Sequence, residues 1–295
     1  MKMDHILTKY MRYMEEIRRY EMEKGILYIC PTPIGNLEDI TFRTVRILGE
    51  VDLIAAEDTR HSIKLLNHFD IKKPLTSYHE HNIREKGKEL ISKLNMGQNI
   101  ALVSDAGMPG ISDPGQELIR EAIEEGIEVI ALPGATASIT ALVISGLSTD
   151  KFIFEGFLSS KRKDRKKELT DIRDNLKTTI IYESPHRLMG LLEDMAYVLE
   201  DRRISISREL TKKYEETFRG TADQALEKFK TDGVKGEFVI VVEGSLEEKM
   251  VEEIDIEQVL REYIGAGLTK KEAIKKISQE NGIPKNVAYK ESLKI

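Results

Sequence analysis

The chain has 295 residues, of which 40% are hydrophobic and 33% are charged, and its formal net charge is -6. These values are typical of a soluble globular protein with a sizeable core, and no apolar run approaches the roughly 20 residues of a membrane-spanning helix. The single cysteine, Cys30, excludes an internal disulfide framework and suits a reducing cytoplasm. The net negative charge argues against a nucleic-acid binder that is basic throughout.

Apolar spacing predicts an amphipathic helix within residues 1–24, followed by alternating strands and helices over residues 25–149. Such alternation predicts a mostly parallel sheet covered by helices on both faces, with residues 100–104 and 129–132 as buried strands. The predicted strands are Ile26–Cys30, Leu53–Ala56, Leu75–Tyr78, Ile100–Ser104 and Val129–Leu132. The predicted helices are Ile40–Val51, Ser62–Phe69, Ile83–Leu94, Gln116–Glu125 and Ala137–Leu147.

A second α/β domain is expected over residues 150–246, with some antiparallel pairing around Glu215–Arg219. Its predicted strands are Phe152–Phe157, Thr179–Tyr182, Ile204–Ser207 and Phe238–Val242, and its predicted helices are Arg162–Leu176 and Pro185–Leu199. Residues 250–295 predict a module of three short helices, with a capping box formed by Thr269 and Glu272. This module resembles a helix-turn-helix, which leaves open a nucleic-acid contact, a protein contact or a stabilising cap.

Two turns rich in small residues follow strands of the first domain, at residues 103–115 and 132–138. Glycines in these turns allow the backbone to approach a ligand closely, and Asp105 and Thr136 add hydrogen-bonding side chains. The carboxyl ends of neighbouring parallel strands form a crevice that binds small molecules. We therefore expect Asp105 and Thr136 to line one shared cavity.

Four polar clusters also follow predicted strands, and they either cap helices independently or converge on one site. They are residues 56–60, 78–82, 182–187 and 207–216. The first places Glu57 and Asp58 beside Arg60, and the third offers Glu183 and His186 for proton transfer. The second is expected to line the cleft or to form a polar junction; its His79 and His81 lack the further ligands of a zinc site, so no metal is predicted.

Several familiar sites are disfavoured by the sequence. The turn at residues 30–36 lacks both the G-x-G-x-x-G spacing of dinucleotide-binding proteins and the lysine of a P-loop, and no G-x-S-x-G elbow of a hydrolase is present.

The sequence also contains two basic groups, which are residues 161–167 and the lysines at 270, 271, 275 and 276. Each group is expected either to contact phosphates or to form a solvated helix face.

The motifs together resemble one family. Residues 31–40, 56–60, 78–82, 104–115, 132–136 and 182–187 are similar to the small-subunit ribosomal RNA methyltransferase I family, a branch of the tetrapyrrole methylase superfamily. The resemblance covers about residues 25–245 and extends to the helical module, and it excludes residues 1–24. The first turn and the Ser-Asp-Ala-Gly segment at 104–107 depart from the glycine-rich turn and Gly-Asp-Pro of corrinoid enzymes, which fits the ribosomal RNA branch.

The resemblance implies S-adenosylmethionine as the methyl donor, bound in a cleft between the two α/β domains of a cytoplasmic homodimer. It implies a ribose 2'-hydroxyl of a decoding-centre cytidine (of the cytidine-1402 type) as the acceptor, which distinguishes RNA from DNA. The donor-binding residues implied are Pro33, Asp105, Ala106, Gly107, Met108, Thr136, Ala137, Leu158 and Arg208. Candidates for the general base are Glu183, Asp105 and His186, and candidates for RNA contacts are Arg60, Arg187, Lys161, Arg162 and Lys163.

Two other functions are weighed against this one. A small-molecule methyltransferase acting on a tetrapyrrole needs a broad apolar cavity over the donor, whereas this chain has no tryptophan and many charged residues at its strand ends. A non-catalytic RNA-binding module needs no closed donor pocket, so titration with S-adenosylmethionine separates it from an enzyme.

Overall fold

The computed structural model describes residues 23–245, 255–280, 283 and 285–295. The helix predicted over residues 1–24 therefore lies almost wholly outside the described residues. The chain forms two compact units that meet in sequence between Gly244 and Ser245. Within the described ranges, no helix is long and apolar enough to cross a membrane.

The first sheet is parallel, with strand order β3-β2-β4-β1-β5. Its strands are β1 (Ile26–Ile29), β2 (Leu53–Ala56), β3 (Leu75–Ser77), β4 (Ile100–Val103) and β5 (Glu128–Ala131). Its helices are α1 (Phe42–Glu50), α2 (Thr59–His68), α3 (Ile83–Asn95), α4 (Gln116–Glu124) and α5 (Ala137–Ser145), and a 3-10 turn spans Leu37–Asp39. Every residue of β2 and β4 is buried, as expected of central parallel strands covered on both faces. The predicted α/β class is thus confirmed.

Strand β5 differs from its prediction as a buried strand. Glu128 and Ala131 at its ends are exposed, and Val129 and Ile130 are only half-buried. The reason is its position at the edge of the sheet, where β1 is its neighbour. An apolar run reveals that a strand packs on a core, but not whether it lies at the centre or the edge.

The second sheet is mixed, with strand order β6-β7-β10-β8-β9. Its strands are β6 (Phe152–Phe157), β7 (Thr178–Glu183), β8 (Ile204–Arg208), β9 (Glu216–Gly220) and β10 (Phe238–Val242). Only β6 and β7 pair in parallel, and the antiparallel pairing of β9 confirms the prediction near residue 215. Its helices are α6 (Arg162–Arg173), α7 (Pro185–Leu199) and α8 (Ala222–Asp232).

Helix α8 was not predicted from the sequence. Its start carries a capping box, in which Gln224 N donates to Thr221 Oγ1 at 3.4 Å and Thr221 N donates to Gln224 Oε1 at 3.1 Å. The T-x-x-Q spacing at residues 221–224 was therefore a signal that could have found this helix. Leu226 and Phe229 bury the apolar face of α8 in the hydrophobic core that packs on the second sheet.

Helix α5 links the two sheets. It follows strand β5 of the first sheet in the chain, and its apolar side chains pack on the second sheet. Ala141 and Leu142 share an apolar cluster with Ile180 and Val239. At its amino end, Ser138 N donates to the hydroxyl oxygen of Tyr182 at 3.1 Å. These contacts fix the carboxyl edge of the first sheet against the second.

Within its described residues, the second compact unit contains three helices, α9 (Ile256–Gly265), α10 (Lys270–Glu280) and α11 (Lys285–Ser292). Its small core is built from Leu260, Ala273, Ile277 and Ala288. The capping box predicted before α10 is present, because Thr269 N donates to Glu272 Oε2 at 2.9 Å and Glu272 N donates to Thr269 Oγ1 at 3.4 Å.

The basic segment 161–167 is partly structural. Arg162 Nε and Arg165 Nη2 lie 2.9 and 2.6 Å from the carboxylate of Asp194 on α7, whose side chain is 0% exposed. Burial acts to raise the pKa of Asp194, but the hydrogen bonds from Arg165 and Arg162 outweigh it and hold the pKa below its usual range. The ion pairs therefore clamp α6 onto α7, while Lys161 and Lys163 stay exposed.

Replacing Asp194 by asparagine should lower the free energy of unfolding by about 3–5 kcal/mol, because the buried guanidinium of Arg165 loses its counter-charge. Urea denaturation at pH 7 measures this change. Glu50→Gln is the matched control: its pair with Arg46 is exposed (56% and 57%), so the expected loss is about 0.5 kcal/mol or less. Equal losses for the two variants would contradict the clamp.

Candidate active site

A cavity of about 620 Å³ lies between the two sheets. The first sheet reaches it through residues that follow the carboxyl ends of β1, β2, β4 and β5, where open α/β sheets bind ligands. These are Ile34, Glu57, Asp105, Ala106, Gly107, Met108, Ile111, Ser112, Asp113, Thr136, Ala137, Ser138 and Ile139. The second half contributes Phe152, Phe154, Phe157, Tyr182, Glu183, Ser184, Pro185, Leu210, Glu237, Phe238 and Val239. Asp105 and Thr136 thus share one concavity, as expected from the sequence.

The loops after β1 and β4 are held together by backbone hydrogen bonds. Thr32 N donates to Gly107 O at 2.9 Å, and Gly107 N donates to Thr32 O at 3.0 Å. Gly107 has φ of +83°, and a Cβ there would lie 3.3 Å from Ile34 Cγ2. A glycine is therefore required at this position, because both its backbone angle and the nearby side chain disfavour a Cβ.

The carboxylates of Glu57 and Asp105 each accept a hydrogen bond from a backbone N–H at the neighbouring strand end. Asp105 N donates to Glu57 Oε2 at 3.4 Å, while Asp58 N donates to Asp105 Oδ1 at 3.2 Å. Burial raises the pKa of Glu57, and the hydrogen bond from Asp105 offsets part of that rise. The two strand ends consequently present a pair of carboxylates to the cavity.

Glu183 is the most deeply buried carboxylate of the cavity wall, at 2% exposure. Its Oε1 accepts from Ser184 N at 2.8 Å and lies 3.2 Å from Arg187 Nε. Its buried Oε2 has no hydrogen-bond partner within the described part of the chain. Burial raises the pKa of Glu183, with Ser184 and Arg187 acting in the opposite direction. Among the described residues, Oε2 is thus available to accept a proton or a hydrogen bond.

Asp113, at the end of the loop before α4, has the most altered acidity in the cavity. Its pKa is raised to about 7, first by burial and then by the negative charge of Glu57, while the nearby Ser104 hydroxyl acts to lower it. Among the described lining residues, five are carboxylic acids and none is lysine, arginine or histidine. The cavity therefore suits a ligand that carries positive charge.

Of the predicted site residues, seven line the cavity and the others do not. The seven are Asp105, Ala106, Gly107, Met108, Thr136, Ala137 and Glu183. Pro33 precedes the lining residue Ile34, and the exposed His186 follows the lining residue Pro185. Leu158 is buried, with its carbonyl oxygen accepting from Arg187 Nη2 at 2.5 Å. Arg208 forms an ion pair with Glu216.

The predicted RNA-contacting residues differ in their accessibility. The Arg60 side chain is 88% exposed and is paired with Asp58, whereas Arg187 is held inward by Glu183 and Leu158. Arg162 is 65% exposed despite its contact with Asp194. The exposed cations of the predicted set are therefore Arg60 and residues 161–163, while Arg187 contacts Glu183.

The cluster at residues 78–82 does not contribute to this cavity. Tyr78 is buried, and His79 N donates to Asn82 Oδ1 at 2.9 Å within a polar strand–helix junction. Across the described residues, no group of three or more histidine, cysteine, aspartate or glutamate side chains is arranged to hold a metal ion. Cys30 is buried, which raises the pKa of its thiol to about 12, so it is an apolar core residue.

Sequence reasoning missed several lining residues, including Asp113 and the phenylalanines of β6. Asp113 stands within the turn at 103–115, so the motif contained it without singling it out. Strict alternation would put Phe152 and Phe154 on one face and Phe157 on the other. A register shift between Phe154 and Gly156 brings Phe157 to the cavity as well. No sequence signal located that irregularity.

Comparison with known proteins identifies the family. Residues 26–226 match the family described as Tetrapyrrole (Corrin/Porphyrin) Methylases. The chain belongs to this family. Over 272 residues it is 52% identical to the "Ribosomal RNA small subunit methyltransferase I" of Halalkalibacterium halodurans, covering 90% of this chain and 94% of that protein. The protein of the same name from Bacillus subtilis is 48% identical over 273 residues, with coverages of 90% and 94%.

Solved structures of low sequence identity share the fold. A cobalt precorrin-4 methyltransferase aligns with a TM-score of 0.58 at 17% identity, covering 74% of this chain and 94% of that chain. A diphthine synthase aligns with a TM-score of 0.57 at 15% identity, covering 76% of this chain and 92% of that chain. The same fold therefore accompanies very different sequences.

Gly107→Ala should lower the free energy of unfolding by more than about 1 kcal/mol, because alanine is strained at a positive φ. Gly49→Ala is the matched control: it lies in α1, and a Cβ there meets nothing within 4 Å. That variant should gain about 0.5–1 kcal/mol from the higher helix propensity of alanine. Chemical denaturation of both variants measures the difference, and a neutral Gly107→Ala would contradict the strain at this turn.

Proposed function

We propose that this chain transfers a methyl group from S-adenosylmethionine to a ribose 2'-hydroxyl of a decoding-centre cytidine in small-subunit ribosomal RNA. The observation that carries the proposal is the carboxylate-lined cavity between the two sheets, built from the turns at 103–115 and 132–138. Support comes from relatives named for ribosomal RNA methylation, which are similar over 90% of the chain.

The cavity fits a sulfonium nucleoside in size and chemistry. Its volume of about 620 Å³ is within the usual range of small-molecule sites. The rings of Phe152, Phe154 and Phe157 and the side chain of Ile34 offer apolar surface for a nucleobase, and the carboxylates complement a cation. We assign donor binding to Asp105, Ala106, Gly107, Met108, Thr136 and Ala137, and we leave Pro33, Leu158 and Arg208 outside the direct contacts.

When bound, the donor supplies an electrophilic methyl group on a positively charged sulfur, and the bond to the ribose oxygen forms as the bond to sulfur breaks. The protein aligns the reactants, which lowers such barriers by about 7–11 kcal/mol. The hydroxyl proton also needs an acceptor, and we assign this role to Glu183. Its unpartnered Oε2 belongs to a buried side chain on the cavity wall, and Arg187 orients the other oxygen.

RNA phosphates are proposed to contact the exposed cations of the first and second α/β domains, Arg60 and residues 161–163. We also propose that the substrate is the RNA of the assembled 30S subunit and that the enzyme is a cytoplasmic homodimer. DNA is not a substrate in this proposal, because it lacks the 2'-hydroxyl acceptor. The single buried cysteine is compatible with a reducing compartment.

The direct test is to incubate the protein with methyl-labelled S-adenosylmethionine and with 30S subunits whose decoding-centre cytidine is unmethylated. Nuclease digestion followed by mass spectrometry should recover the label as 2'-O-methylcytidine. Free 16S ribosomal RNA tested in parallel distinguishes the assembled subunit from naked RNA as the substrate. A base-attached methyl group, or no transfer to either RNA, would overturn the proposal.

Glu183→Gln should lower kcat by about 10²–10⁴-fold, because the amide cannot accept the hydroxyl proton, while donor affinity changes little. Single-turnover kinetics and calorimetric titration separate these two effects. Asp105→Asn and His186→Gln decide between the three candidates, since the acceptor is the residue whose loss lowers kcat most at unchanged donor affinity. A greater loss in His186→Gln than in Glu183→Gln would show that the assignment to Glu183 is wrong.

A further inference from the structure

The negative charges that face the cavity are not equally balanced by cations. Glu183 is paired with Arg187, and Glu237 is 76% exposed with Lys212 Nζ at 3.0 Å from its carboxylate. Within the described residues, no lysine or arginine forms an ion pair with the remaining three acids, which are Glu57, Asp105 and Asp113. Among the described residues, the charges of these three acids are therefore not offset by a paired cation.

Asp113 is surrounded by groups from both halves of the site. Glu57 follows β2, Asp105 follows β4, Glu237 precedes β10 and Tyr182 belongs to β7, and all four interact electrostatically with it. The nearby Ser104 hydroxyl favours its ionised form. The Asp113 carboxyl is therefore half-buried among negative charges that disfavour its ionised form, and a positively charged ligand beside it would favour that form.

The methyl donor and the product that it leaves differ in this respect. S-adenosylmethionine carries a positive sulfonium, whereas S-adenosylhomocysteine has a neutral thioether and is otherwise the same apart from one methyl group. A cavity that recognised only the nucleoside and amino-acid parts would bind both about equally. A difference in affinity therefore reports on how strongly the protein recognises the charge at sulfur.

We propose that Asp113, supported by Glu57 and Asp105, makes the cavity select the positively charged donor over its neutral product. This inference rests on the proposed function and assigns a role in it to a residue outside the predicted site set. Transfer of the methyl group removes the charge that Asp113 attracts, so the product is held less tightly and is exchanged for fresh donor.

The selection should depend on pH in a defined direction. The pKa of Asp113 is raised to about 7, so the group is mostly protonated at pH 6 and mostly ionised at pH 8. Because only the ionised form attracts a cation, donor affinity should rise with pH, while product affinity stays nearly constant. Burial also raises the pKa of Glu57, which acts in the same direction, and a variant is needed to attribute the effect to Asp113.

Calorimetric titration at pH 6, 7 and 8 tests this with three probes: S-adenosylmethionine, S-adenosylhomocysteine and sinefungin, a non-transferable analogue with a positive amine in place of the sulfonium. For the unmodified protein, the ratio of donor affinity to product affinity should rise by about fivefold from pH 6 to 8. An ionised carboxylate that favours the donor about tenfold (about 1.4 kcal/mol) gives this smaller change because, at a pKa of about 7, Asp113 is about one-tenth ionised at pH 6 and about nine-tenths ionised at pH 8. Sinefungin should follow the donor.

In Asp113→Asn, the affinity ratio at pH 8 should fall by about tenfold and lose most of its pH dependence, with product affinity unchanged. Asp113→Glu keeps the charge and should keep the ratio. The control for a lost negative charge elsewhere is Glu124→Gln, an exposed residue of α4 that should leave the ratio unchanged.

Two outcomes would show that the role assigned to Asp113 is wrong, and a third would show that the proposed function is wrong. If Asp113→Asn weakens donor and product equally, the residue recognises a part that both share, and the inference is wrong. An unchanged ratio in that variant also contradicts it. If the folded unmodified protein binds none of the three probes, the proposed function itself fails, and this inference fails with it.

Discussion

The packing of α5 against the second sheet is the contact on which the rest of the site depends. Ala141 and Leu142 bury their side chains with Ile180 and Val239, and Ser138 N donates to the hydroxyl oxygen of Tyr182, both of which line the cavity. Because the amino end of α5 follows the carboxyl end of β5, this packing brings the strand ends of one sheet up to the wall of the other. The cavity exists because two layers meet there, and neither sheet encloses it alone.

Electrostatics gives that cavity its chemical character. Five acids line it among the described residues, yet they are not equivalent, since Glu183 and Glu237 have basic partners and Glu57, Asp105 and Asp113 have none as ion pairs. Basic side chains are used elsewhere, either on the surface as with Arg60 or in the clamp around Asp194. An acidic interior with exposed cations outside it is the separation that a cationic donor and a polyanionic acceptor require.

The sequence predicted most elements because their patterns are local. β2, β6, β10 and α7 have the predicted bounds, and the Thr269 capping box is present where its spacing indicated. Two of the differences have long-range causes, whereas the third, helix α8, had a local signal. Strand β5 lies at an edge and is not buried, Arg162 and Arg165 of the basic segment bind Asp194 from another helix, and α8 was overlooked although Thr221 and Gln224 signal its start.

The sequence by itself determined the α/β class, the family and the two turns that hold Asp105 and Thr136, since small residues after an apolar strand require that local geometry. Only the tertiary structure decided which polar clusters meet. Residues 182–187 reach the cavity and residues 78–82 do not, because that outcome depends on how the sheets pack. The raised pKa of Asp113 also depends on the tertiary structure. It results from burial and from the nearness of Glu57, Tyr182 and Glu237, which lie far from Asp113 in the chain.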